Sequence, residues 1–214
     1  MKTDKQMDEI EYIEHCRSQL LSSMNTLLTK IGDIPIGDSS QFPYGWRKAA
    51  KGRTVWRLVE ESISQNLELR ASKLGMKDFA PASSEVGVFD FRFRFEDTGP
   101  IYVNIKSAVE NGRANKDDIS KAVSLEEFIR TNPGSVLLIA TVGISFSSDP
   151  MAIRFPNCYV LPVTWLPDIY VNPSNNGNLQ SSKYKSTDTA IRRTNNQFLQ
   201  SLQEQILVAR KKKG

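Results

Sequence analysis

Histidine is almost missing from this 214-residue chain, where His15 is the only one. A centre built on histidine-bound metal or on a His/Cys pair therefore has little to work with. Cysteine is nearly as scarce: Cys16 and Cys158 stand far apart, with no metal-ligand spacing and no disulfide framework, which points to a reducing, cytoplasmic setting. No apolar run approaches the ~18 residues that would cross a bilayer, so no membrane partner is expected. The opening MKTDKQMDEIEYIEH is too charged for a signal peptide. Glycine-rich phosphate loops are missing, which argues against a nucleotide cofactor. Repeats and low-complexity tracts do not stand out.

What is present fits an ordinary globular protein of one domain, or one domain with an appendage: 39% hydrophobic, 24% charged and a formal charge of +4. The basic residues are unevenly spread. From position 183 onward, Lys183, Lys185, Arg192, Arg193, Arg210, Lys211, Lys212 and Lys213 are opposed only by Asp188 and Glu204. Such a lobe can contact a nucleic-acid backbone, although a solvated tail is the simpler reading of the final KKKG.

Periodicity predicts an opening helix over 8–31, with Ile10, Ile13, Leu20, Met24, Leu27 and Ile31 on one side and Gly32 as its stop. His15 falls on this helix as a surface or dimer-contact residue. A Gly/Pro/Ser-rich loop follows, carrying Trp46, Arg47, Lys48, Lys51 and Arg53, an aromatic among bases that suits a nucleic-acid groove or a packed surface turn. Thr54 is placed to cap a second helix ending near Gly75, whose Val55, Leu58, Val59, Ile63 and Leu67 should pack on a sheet.

Residues 86–95 alternate strictly, with Phe89, Phe91, Phe93 and Phe95 on one face and Val88, Asp90, Arg92 and Arg94 on the other. After an Asp-Thr-Gly-Pro turn at 97–100, the next strand points Ile101, Val103 and Ile105 one way and Tyr102, Asn104 and Lys106 the other. Residues 117–131 read as a helix with Ile119, Val123 and Ile129 in the core. VLLIATV at 136–142 reads as a buried central strand, and 158–163 as a further strand. A long polar loop then leads to a last helix over about 188–210, with Ile191, Phe198, Leu202, Ile206 and Ala209 on one side. Helix, helix, hairpin, helix, strand is an α/β pattern in which an antiparallel meander feeds a crossover.

Asp90 and Asn104-Ile105-Lys106 carry the chemistry. A carboxylate on one strand of a hairpin and an oxygen ligand two residues before a lysine on the other suit metal-dependent phosphodiester hydrolysis. Mg²⁺ prefers hard oxygen ligands, which Asp90, the Asn104 side chain and the Ile105 carbonyl can supply. The lysine belongs beside the phosphate, where it stabilises charge or orients water. The second helix offers Glu60 and Glu61, with Glu60 the preferred fourth member; Glu85 is an outside candidate.

On these residues the chain resembles the PD-(D/E)xK nuclease superfamily, and within it the orthodox type II restriction endonucleases, most of all their blunt-cutting branch. Asp90 matches the first acid, Asn104-Ile105-Lys106 the (D/E)xK element, and Glu60 the acid of the early core helix. The likeness is clearest over 52–146. It departs from the pattern at Phe89, where the family usually has proline, and at Asn104, where it usually has an acid. The amide removes one negative charge from the ligand set and should weaken metal binding; it is also the kind of change that silences such a nuclease.

The resemblance implies a restriction-endonuclease-like core, a mixed central sheet flanked by helices. Residues 1–165 would form that core with N-terminal covering or dimerisation helices, and 166–214 a DNA-binding loop and terminal helix packed on the same domain. It also implies a homodimer that uses Mg²⁺ to cut double-stranded DNA at a short palindrome, leaving 5'-phosphate and 3'-hydroxyl ends. Asn111, Arg113, Asn115 and Lys116, directly after the catalytic strand, are base-reading candidates, and residues 172–178 form a second polar loop that can approach a groove. Lys183, Lys185, Arg192 and Arg193 look more like phosphate contacts, with Arg47, Lys48, Lys51 and Arg53 as a further basic group. A DNA-binding protein of this fold without catalysis, a repair or resolvase nuclease, and an α/β protein with no DNA role remain as alternatives. Cleavage at one short palindrome separates the first reading from all of them.

Overall fold

A computed structural model describes residues 7–47, 52–83, 87–110, 112 and 116–213, with the side chains of 52–54 and 213 outside the description. Helix α1 (Glu9–Ile31) starts where the Asp8 carboxylate accepts the Glu11 N–H at 2.8 Å, and carries Glu9 and Glu11 in its first turn. It stops at Gly32, whose φ of 69° is one that glycine adopts freely. The short strand β1 (Ile34–Gly37) follows, then α2 (Gly52–Arg70) and a 3-10 turn at Ala71–Leu74. Val55, Val59, Ile63 and Leu67 are buried in a stripe along α2, as their spacing predicted. Full burial of such a side chain contributes about 1.5–3 kcal/mol. Leu58 departs from the expectation and is exposed; Thr54 lies inside the helix rather than capping it.

The remaining elements are β2 (Lys77–Pro81), β3 (Phe91–Arg94), β4 (Ile101–Val109), β5 (Asp117–Lys121), α3 (Ala122–Thr131), β6 (Val136–Ser148), β7 (Met151–Arg154), β8 (Cys158–Pro162), β9 (Tyr170–Asn172), β10 (Asn178–Ser181) and α4 (Asn195–Lys213). The architecture is α/β. The main sheet runs β1-β7-β6-β4-β3-β2, with β8 also paired to β6. It is mixed, because β4 and β6 are parallel while the other pairs are antiparallel. The expected hairpin is β3-β4, which β2, a strand the sequence did not reveal, extends to a three-stranded meander, and the crossover from β4 to β6 passes through β5 and α3. β6 serves two partners in succession, β8 along 138–142 and β7 along 145–148. Gly143 sits at the exchange, where a Cβ would overlap the Asn157 side chain. Helix α1 packs on β8 and α2 lies against β4, so helices flank the sheet.

Several expectations fail in instructive ways. Residues 117–131 are not one helix: 117–121 form strand β5, and the helix begins only at Ala122. Ile119 and Ile129 are buried, but Val123 is 51% exposed, and Ala122 and Leu125 fill the core in its place. The polar stretch after 170 contains β9 and β10, which join β5 in a second, three-stranded sheet. The last helix starts at Asn195, leaving Ile191 outside it and exposed, while Phe198, Leu202, Ile206 and Ala209 are buried. β1 and β7 came with no alternation long enough to mark them. Among the described residues, no helix is long and apolar enough to cross a membrane.

Candidate active site

The alternation over 86–95 predicted one continuous strand, but β3 begins only at Phe91. Phe91 pairs with Val103, yet the Asp90 N–H also donates to the Val103 carbonyl at 2.8 Å. Two residues opposite one is the mark of a bulge, which re-aims the side chain that carries it. Asp90 is thereby turned toward the neighbouring strand, where its Oδ2 accepts the Ile105 N–H at 2.5 Å. The amide and carbonyl of one strand residue leave the same edge, so the Ile105 carbonyl faces this side too.

Asn104 and Lys106 project from β4 on the opposite face from Val103 and Ile105. Asn104 is 9% exposed. Its Nδ2 donates weakly to the Val88 carbonyl at 3.4 Å, and its Oδ1 is buried with no hydrogen-bond partner. An unmatched buried acceptor costs about 1–3 kcal/mol, so something that accepts a lone pair belongs there.

Helix α2 lies against β4 and brings both adjacent acids to the same cleft, with Glu60 the more deeply set. Glu60 is half-buried, whereas Glu61 is exposed and accepts from Gln65 at 2.7 Å one turn away. Desolvation dominates at Glu60 and, with Lys106 and Arg57 opposing it and Asp90 reinforcing it, pushes the carboxyl up to about 7. Asp90 is open to the cleft, but the protein around it desolvates its carboxyl and raises it, against the pull of the Ile105 N–H and Lys106. These mutual influences place Glu60, Asp90 and Lys106 in one electrostatic neighbourhood.

Glu60, Asp90, Asn104, Ile105 and Lys106 all line a single cleft of about 910 Å³. The structure thus brings together Asp90, Asn104, Ile105, Lys106 and Glu60 from β4, α2 and the entry to β3. The cleft also contains Arg57, Asp118 and Lys121, which sequence reasoning passed over, together with Trp56 and with Asn178, the last residue of the polar loop expected to approach a groove. Asp118 was hidden because β5 carries no strand-like alternation and was read as the start of a helix. Among the described residues, no group of three or more His, Cys, Asp or Glu side chains is arranged to hold a metal. With an amide at 104, the second position of the motif does not add a carboxylate to Asp90 and Glu60.

The basic candidates divide. Lys48, Lys51, Asn111, Arg113 and Asn115 lie outside the described residues, as do the side chain of Arg53 and all of Glu85. Arg47 is exposed and stacks on Tyr44, with its guanidinium carbon 3.9 Å from the ring centre. Lys116 sits over Tyr170 at 4.1 Å, Lys185 pairs with Asp117 at 3.1 Å, and Lys183 is exposed. Arg192 is exposed, 3.7 Å from a Glu14 oxygen. Arg193 differs from its neighbour: it donates to the Leu166 carbonyl at 2.8 Å, while its own carbonyl accepts from the Trp165 indole at 3.2 Å. Its Nη1 fastens the chain to the 164–166 turn, so the role the structure gives it is that of a structural staple. Arg193→Ala is expected to lower the melting temperature and leave the salt dependence of DNA binding unchanged, whereas Arg192→Ala should reduce that salt slope by about one counterion with little change in melting.

The single histidine is also structural. His15 Nε2 lies 2.7 Å from Asp97 Oδ2, and Tyr12 Oη accepts the Gly99 N–H at 2.7 Å, so α1 holds the turn between β3 and β4. No protein-family model matches the chain, and no curated protein matches it.

Proposed function

We propose that the protein is a metal-dependent deoxyribonuclease with a restriction-endonuclease-like core, acting on duplex DNA as a homodimer and cutting at a short palindrome to leave 5'-phosphate and 3'-hydroxyl ends. The observation that carries this reading is the convergence of Asp90, Asn104, Lys106 and Glu60 in one cleft, with the Asn104 Oδ1 buried and unmatched.

The donor set fits a hard divalent cation such as Mg²⁺. Asp90, the Asn104 Oδ1, the Ile105 carbonyl and Glu60 are oxygen donors, and a cation is the natural partner for an orphaned carbonyl oxygen. When bound, such an ion polarises the phosphoryl oxygens and makes water a better nucleophile. The protein's own residues do the rest. Lys106 holds a phosphate oxygen and balances the charge that develops there. Glu60 supplies a second carboxylate oxygen in the cleft beside Asp90, while the attacking water gives its proton to solvent and the leaving 3' oxygen takes one up from it. The Ile105 N–H fixes the Asp90 carboxylate, so the remaining oxygen keeps its direction.

Glu60 also makes a prediction about stability. A carboxyl raised from the usual 4.5 to about 7 binds its proton in the folded state where the unfolded chain has lost it. Stability from this group is therefore lost as pH rises from about 4.5 through 7. Glu60→Gln should remove that part of the pH dependence, read as a smaller drop in the urea midpoint between pH 5 and pH 8. An unchanged drop would detach Glu60 from the buried site.

The test of the function is incubation of long duplex DNA of known sequence with Mg²⁺ and, separately, with EDTA. Discrete fragments only with Mg²⁺ support a site-specific nuclease. Cleavage confined to branched or mismatched substrates would favour a repair or resolvase enzyme instead.

A further inference from the structure

The wall of the cleft formed by the small sheet β5-β10-β9 has no part in the hydrolytic chemistry above. Asp118 stands in it, on β5, and accepts from three amides: Asn175 at 3.0 Å to each oxygen, Asn178 at 3.0 Å and Gln180 at 2.7 Å. A carboxylate can only accept, so each amide nitrogen must face Asp118, and the orientation of the amides is fixed by chemistry. The Gln180 Oε1 in turn accepts from Asn172 at 3.0 Å. That leaves the Asn178 Oδ1 as a buried acceptor without a partner, in a residue that, like Asp118, lines the cleft beside Asp90 and Lys106.

A negative charge on the wall of a cleft for DNA cannot meet a phosphate. Its place is against base edges, which offer donors as well as acceptors. The exocyclic amino groups of adenine, cytosine and guanine are such donors, and thymine has none in either groove. Resting on the nuclease reading of the same cleft, we infer that Asp118 and Asn178 form a base-reading subsite that accepts a hydrogen bond from an exocyclic amino group of the substrate. The array discriminates against thymine at that position. Asp118 has two tasks: it sets the amides, and it makes the wall unfavourable for a phosphate that has slipped out of register.

The experiment selects bound duplexes from a randomised pool, without divalent metal, for the unaltered protein and for Asn178→Ala, with melting of both proteins followed in parallel. One base position should lose its preference by about tenfold in Asn178→Ala, while the salt slope of binding stays the same. A second arm needs no variant: a base analogue lacking the amino group at that position should weaken binding of the unaltered protein by about tenfold. A sequence preference that survives both Asn178→Ala and every amino-deleted analogue would overturn this inference and leave the nuclease reading standing. An unaltered protein with no affinity for duplex DNA would overturn both.

Discussion

Lys106→Ala is expected to lower the rate of Mg²⁺-dependent duplex cleavage by about a hundred- to a thousandfold, the usual cost of removing one preorganised group from a developing charge. The protein should still fold and still bind DNA. Lys106 is half-buried and lies beyond the fully buried stretch 101–105 of β4, so truncating it opens no core cavity. Its main-chain register against Thr141 of β6 does not depend on its side chain. The decisive comparison is single-turnover cleavage alongside DNA affinity for the two proteins. Equal loss of affinity and rate would make Lys106 a binding residue only, and an unchanged rate would remove it from the centre.

Asn104→Asp should have the second large effect, in the opposite direction. The buried Oδ1 that now lacks a partner would belong to a carboxylate, adding a full negative charge beside Asp90. Two unit charges 4 Å apart interact by roughly 4 kcal/mol at an effective dielectric of 20, and much of that is lost to the repulsion from Asp90 in the metal-free protein. A gain of about ten- to a hundredfold in affinity for Mg²⁺ or Mn²⁺ is the expected remainder. The same repulsion, and loss of the weak Asn104–Val88 hydrogen bond, should lower the melting temperature without metal. Added metal should then raise it more than in the unaltered protein. Calorimetric titration with Mn²⁺ and melting with and without Mg²⁺ read both effects. A variant with no gain in affinity would mean that Oδ1 does not face the metal.

The sequence announced the parts of this molecule that depend on burial. The i, i+4 stripe of Val55, Val59, Ile63 and Leu67 and the unbroken run at 136–142 had to be inside, and the hairpin at 97–100 followed from its turn residues. Asn104 and Lys106 were legible because alternation along β4 sets their side, whereas the side of Asp90 is set by the bulge before β3, which alternation did not foretell. What escaped was set by side-chain hydrogen bonding. β5, β9 and β10 are polar strands held by Asp118 and its three amides, and by Asp117, which accepts from Tyr184 at 2.6 Å. Such a pattern has no hydrophobic period to detect. The deeper setting of Glu60 than of Glu61, which line the cleft together, needed the placement of α2 against β4. The split between Arg192 and Arg193 needed the carbonyls of the 164–166 turn, since two adjacent arginines are indistinguishable as letters.

The most direct test of the account is single-turnover cleavage of one defined duplex across a Mg²⁺ series, run side by side for the unaltered protein, Asn104→Asp and Asp90→Ala. Metal-dependent cleavage is expected from the first, the same cleavage at lower Mg²⁺ from the second, and none from the third. Cleavage that persists in EDTA or in Asp90→Ala, or its absence from both the unaltered protein and Asn104→Asp, would contradict the assignment of this cleft as a metal-dependent nuclease centre.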